Sequence, residues 1–192
     1  MPYIDVFNGD ADGICALHQL RLYNPQKSSL VTGVKRDNLL LKRIIATRDS
    51  TLTVLDISSH ANRDSLLQLL KKGNTVHYFD HHFAGEMLES PLFHPHIDTS
   101  PDVCSSILVD RFLSGKYRLW AIVASFGDNL HVSAHELAGS LKLNPKKTEE
   151  LRELGELINY NAYGETIDDL HFSPEVLFKA LQPFSNPFEF YH

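Results

Sequence analysis

The stretch "NTVHYFDHHFAG", residues 74 to 85, is the key to this chain. Val76, Tyr78 and Phe79 give its first half the β-branched and aromatic character of a strand. Asp80, His81 and His82 then follow without a spacer. Three groups able to hold a metal ion or a phosphate therefore stand where a strand should end.

Upstream, the same pattern of an apolar run followed by a turn recurs. "YIDVF" (3–7), "SLVTG" (29–33) and "TLTVL" (51–55) read as strands. Between them, "GICALHQLRLY" (13–23) and "NLLLKRIIA" (38–46) carry apolar residues at helical spacing, with Asp37 or Asn38 available as a cap for the second. "ANRDSLLQLLKKG" (61–73) closes on two lysines and a glycine, a helix stop signal. Strands alternating with helices predict an α/β fold: a mostly parallel sheet flanked by helices on both faces, joined by right-handed crossovers. Downstream, "SPDVCSSILVDRFLSG" (100–115) reads as a helix capped by Ser100 with Pro101 at its first position. Further helices are expected over about 118–126, 133–141, 146–159 and 174–182, the third of them interrupted by Gly155. The expected organisation is a metal-binding α/β core over 1–130. A helical extension over 131–192 would pack on that core or lead to a further C-terminal domain.

Composition narrows the function classes. With 192 residues, 43% of them hydrophobic, the chain can bury one sizeable core. It has no apolar run long enough to span a bilayer, and its N-terminus carries Asp5 and Asp10 rather than a basic leader, so no membrane role is expected. Cys15 and Cys104 are outside any CxxC pattern, which makes a reduced, cytoplasmic setting the default. A net charge of −6 argues against a long duplex nucleic acid but leaves room for a small anionic substrate held through cations. A homodimer is compatible with the chain. His131 and His135 have a zinc-like helical spacing, but no third ligand accompanies them.

In an open parallel sheet, ligands bind beyond the carboxyl ends of the strands. Asn8, Asp10 and Asp12 follow the first strand, Asp56 the third, and Asp80, His81 and His82 the fourth. Lys35 and Arg36 follow the second strand and could neutralise a phosphate, although a solvated charge pair is the commoner fate of such residues. Asp128 follows the apolar run "WAIVASFG". Strand-end aspartates also serve as turn residues and helix caps. Asp10 and Asp12, two apart in extended backbone, can nonetheless point the same way, and Gly13 permits a tight entry into the helix. So many carboxylates on one rim would repel one another without cations, which points to two metal ions. Carboxylate with imidazole suits Mn²⁺, Mg²⁺ or Fe²⁺ better than a thiolate-type zinc site. The segment "NYNAYGE" (159–165) could line the same cleft but reads more simply as a turn.

"DADG", a lone Asp after the third strand, "DHH" and a later Asp, in that order over residues 8–128, resemble the motifs of the DHH phosphoesterase superfamily. That superfamily includes RecJ-type single-strand exonucleases, nano-RNA and cyclic-dinucleotide phosphodiesterases, exopolyphosphatases and family II pyrophosphatases. The resemblance implies a two-metal phosphohydrolase acting on a short oligonucleotide, a cyclic dinucleotide or a polyphosphate. It implies Asp10 as a ligand of the first ion and Asp12 of the second. Asp56 would bridge both ions and hold the attacking water, and His81 and Asp128 would complete the second site. His82 would contact substrate phosphate, with Arg36, Lys35 and Asn8 as further substrate contacts, and Asp80 would orient an imidazole from behind. Positions 6–9, "VFNG", lack the histidine many members place there, and Asn8 stands where RecJ-like members have a carboxylate, so a weak first metal site is expected. The glycine-rich histidine motif of the superfamily's further domain is absent from these residues. Two other readings stand beside this one. One is a catalytically inactive nucleotide- or metal-binding module. The other is a dinucleotide binder, disfavoured because Asp10 and Asp12 would repel a pyrophosphate.

Overall fold

A computed structural model describes residues 1–192. Five strands, β1 (Tyr3–Asn8), β2 (Ser28–Gly33), β3 (Thr51–Leu55), β4 (Thr75–Asp80) and β5 (Phe93–Ile97), form one sheet in the order β2-β1-β3-β4-β5. Every neighbouring pair is parallel. Alternate residues face opposite sides. Val6, Val54, Val76 and Tyr78 pack into one apolar cluster, and Phe7, Leu55 and Phe79 into another.

The two clusters are unequal. Helix α2 (Arg63–Lys71) and a 3₁₀ segment, Leu40–Ile44, cover the smaller one. The larger is built from α1 (Ala11–Tyr23), α3 (Ser105–Phe112), α4 (Arg118–Gly127), α5 (His131–Ser140), α6 (Pro145–Asn161) and α7 (Pro174–Leu181). It joins Phe7 and Ile14 to Ile158, Phe178 and Leu181, so the helical second half shares its apolar interior with the sheet. A short last helix, α8 (Pro187–Tyr191), sets Phe190 against Trp120.

Several elements depart from the sequence expectations. β5 is unexpected, because "FHPHI" places a proline and two histidines inside it. An edge strand needs only one partner, and there a proline's missing N–H costs little. The helix expected over 100–115 begins only at Ser105. Asp98 accepts from the Ser100 N–H and hydroxyl and fixes a turn there instead. The stretch 38–46 yields a single 3₁₀ segment. Gly155 does not interrupt α6. A Cβ there would lie 2.1 Å from the Val123 carbonyl oxygen, so glycine is what lets α6 cross α4 at backbone contact.

Candidate metal centre

The carboxyl ends of β1, β3 and β4 share one register. Phe7 pairs with Leu55, and Leu55 with Phe79. The residues that follow therefore emerge side by side. The point where strand order turns back, between β1 and β3, is where such sheets open a crevice.

Asp10 caps α1: its Oδ1 accepts from the N–H groups of Asp12 and Gly13, both at 3.1 Å. Gly13 is required, since a Cβ on it would lie 2.2 Å from the Asn8 carbonyl oxygen. Asp12 points the other way, toward the start of α3. Cys104, the N-cap of α3, gives no side-chain cap. The orphan N–H groups of Ser105 and Ser106 donate instead to the two Asp12 oxygens, each at 2.7 Å. Both aspartates are thus helix caps and also members of the acidic cluster.

Asp56 occupies left-handed backbone, φ 57°, where β3 ends. This costs a non-glycine residue on the order of 1–3 kcal/mol, least for Asp and Asn. The turn is held by its N–H donating to the Phe79 carbonyl at 2.9 Å. It directs a carboxylate that is only 2% exposed into the cluster. Asp128 closes α4. Asn129 takes the left-handed C′ position, and the N–H groups of Asn129 and Leu130 return to Phe126 and Ser125, a Schellman stop.

These segments converge on His81. Its Nε2 lies 3.3 Å from Asp56 Oδ1, 3.8 Å from Asp128 Oδ2 and 4.0 Å from Asp12 Oδ2. Asp12, His81 and Asp128 offer ligand atoms all within 4.8 Å of one another, and Asp56, His81 and His82 do the same. Asp80, fully buried, stands behind. One oxygen accepts from the His82 N–H at 3.2 Å and lies 2.7 Å from His82 Nδ1; the other accepts from the Ser59 N–H. It is His82, then, that Asp80 orients. That bond, above all, raises the His82 pKa, with burial opposing it.

Lys35 enters from the loop after β2. Its Nζ is 2.6 Å from Asp10 Oδ2, 3.0 Å from Asn159 Oδ1 and 3.5 Å from Asp128 Oδ1. Its backbone is pinned as well, by its N–H donating to Ala162 and its carbonyl accepting from Asn8 Nδ2. Asn8 is buried, and its Oδ1 has no partner. Arg36 is exposed and lines a surface groove with Asp37, Arg43 and Glu165; no hydrogen bond or ion pair ties it to the acids. His131 and His135 lie against the Phe126 ring and join no ligand group.

Electrostatics divide the carboxylates. Burial, followed by the charges of Asp10, Asp12 and Asp128, pushes Asp56 well above the carboxylate range. Asp128 is raised to about 6, first by burial and then by Asp12 and Asp10, against the pull of Lys35 and His81. For Asp10 burial also raises, but the Lys35 charge and hydrogen bond outweigh it and the pKa is lowered. Carboxylates close enough to raise one another's pKa, grouped with an imidazole, are a donor set suited to a hard divalent ion. Asp12, Asp56, His81 and Asp128 fit such an ion. Asp10 fits a second one poorly, because the Lys35 ammonium already lies 2.6 Å from its Oδ2 and a metal ion there would have to displace that charge.

Sequence reasoning missed two contributors and misplaced a third. Asn159, the first residue of the stretch read as a turn, lies inside α6, one turn beyond Gly155. Ser105 and Ser106 anchor Asp12, and Ser105 Oγ also reaches Asp56 at 3.4 Å. A correct start for α3 would have exposed them, since a helix whose cap has no acceptor needs one from elsewhere.

No family model matches the chain, and no curated protein does. Solved structures do. A DHH-domain protein, described as a member of a family of ribosomal proteins, superposes with a TM-score of 0.63 at 16% identity, covering 92% of this chain and 51% of that one. An uncharacterized protein from Helicobacter pylori G27 gives 0.44 at 14% identity, over 100% of this chain and 62% of its own. Exonuclease RecJ bound to manganese gives 0.47 at 19%, over 98% of this chain and 55% of its own. The first establishes that the chain has the fold of a DHH domain. The chain spans about half to three-fifths of the length of these structures.

Proposed function

We propose that this protein is a divalent-metal-dependent phosphohydrolase acting on a phosphodiester or phosphoanhydride of a short nucleotide or polyphosphate. One observation carries the reading. Asp12, Asp56 and Asp128, contributed by three separate segments, converge around the Nε2 of His81, from a fourth, at the mouth of a DHH-type sheet.

A bound Mn²⁺ or Mg²⁺ would supply a water acidic enough to attack at neutral pH and would offset charge on the phosphoryl oxygens. The protein's part is to hold the donors and the substrate. Asp12 is kept in place by two N–H groups of α3 and Asp56 by its turn, so neither carboxylate must reorganise when charge develops. His82 has the one half-exposed imidazole of the group. Asp80 on Nδ1 raises its pKa, and in its protonated form it would offer Nε2–H as a charged donor to a phosphate oxygen. Lys35 neutralises Asp10 and tempers Asp128, which lowers the repulsion an anionic substrate meets. The net charge of −6 favours a small substrate over a long duplex.

The test is hydrolysis, with Mn²⁺, of bis-p-nitrophenyl phosphate, a dinucleotide, pyrophosphate and polyphosphate. Turnover of at least one is expected, with a loss of ~10²–10³-fold in Asp56→Ala and in His81→Ala. Full activity in both variants would refute the site. Mn²⁺ binding with no turnover across the panel would leave a metal-binding module in its place.

A further inference from the structure

Asp10 shares the acidic cluster but belongs to neither group of residues whose ligand atoms converge. Its Oδ1 is committed to the first turn of α1, and its Oδ2 lies 2.6 Å from the Lys35 ammonium. That ammonium is not a casual surface contact. A lysine has three N–H donors, and Lys35 Nζ has three acceptors from three segments: Asp10, Asn159 and Asp128. The residue's own N–H and carbonyl are bonded to Ala162 and Asn8, which fixes the base of the side chain beside the cluster.

We propose that the Lys35 ammonium permanently fills the cation position beside Asp10, so that the site takes one divalent ion, at Asp12, Asp56, His81 and Asp128, next to a cation carried by the chain itself. This rests on the site being a divalent-ion site, as proposed above. A compact, strongly hydrated point charge on a long stem is the side chain best suited to stand in for a metal ion among oxygen acceptors. Asn8 and Asn159 fit the same picture. Asn159 Oδ1 accepts from the ammonium itself, and Asn8 braces the Lys35 backbone, so the amides around that position serve the lysine and bring no further negative charge.

Mn²⁺ stoichiometry tests this without reference to turnover, by calorimetry and by the EPR signal of free Mn²⁺. The wild-type chain is expected to bind one ion. Lys35→Ala and the less disruptive Lys35→Gln, each checked for a native circular-dichroism spectrum, are expected to bind two, the second more weakly. Lys35→Arg should remain at one. Two ions on the wild type would overturn the proposal and leave the hydrolase reading intact, as would a single ion on a natively folded Lys35→Gln. No ion on the wild type would remove both.

Discussion

The acidic cluster has two ends that differ in one neighbour. At the first, Asp10 is buried yet held below the usual carboxylate range, because Lys35 lies against it. At the second, Asp56 and Asp128 are pushed upward by burial and by the other carboxylates, and the Lys35 ammonium comes no closer than 3.5 Å, to Asp128, against 2.6 Å from Asp10. Residue type is the same at both ends, and Asp10 and Asp56 each follow a strand. On the reading proposed here, a buried carboxylate is left to a metal ion only where the protein does not balance its charge.

The most forceful probe of the contrast is Asp56→Asn, which keeps a residue type that tolerates left-handed backbone. Activity should fall ~10²–10³-fold. The metal-free protein should nonetheless melt higher, by about 2–4 °C for each ~1 kcal/mol of repulsion relieved. A lower melting temperature would show that Asp56 is balanced after all. Asp80→Asn leaves the ion ligands in place but weakens the bond that orients His82 and raises its pKa. A loss of about 10–100-fold is expected, mainly in KM, with Mn²⁺ stoichiometry unchanged; loss of the ion would mean that Asp80 acts on His81 instead.

Gly155→Ala strikes the Lys35 end from a distance. Its new methyl would press on the Val123 carbonyl, costing roughly 1–3 kcal/mol. It would also displace Asn159, one of three acceptors for Lys35. Thermal melting should report the destabilisation, and Mn²⁺ affinity at the His81 end should change much less.

The weakest effect is in pH. Asp128 titrates near 3.8 when unfolded and at about 6 when folded, and Asp56 is raised too, so the folded state holds these protons more tightly. Asp128's contribution to the stability of the metal-free protein is full below about 4 and lost as pH rises through about 6, and Asp56 acts in the same direction. Asp10 has the opposite sign, its contribution being lost as pH falls below the ordinary value of 3.8. Melting temperature without metal should therefore decline between about pH 4 and 6, and excess Mn²⁺ should flatten the decline. A metal-free profile that rises over that interval would contradict the division between the two ends.

What could be read from residue order was the alternation of strands and helices, the parallel sheet, and the presence of acids and histidines after three of its strands. Those features are local: apolar period, turn residues and strand-end position lie within a few residues of one another. β5 and the true start of α3 were less legible, because an edge strand tolerates Pro95 and because the α3 cap is Asp12, many residues away. Residue order is enough to say which side chains stand on the rim. It does not say which of them share a cation, and that was settled by folding. Lys35 and Asn159 reach Asp10 through a loop and a crossing helix, and Coulomb interactions depend on distance in space, which residue order does not record.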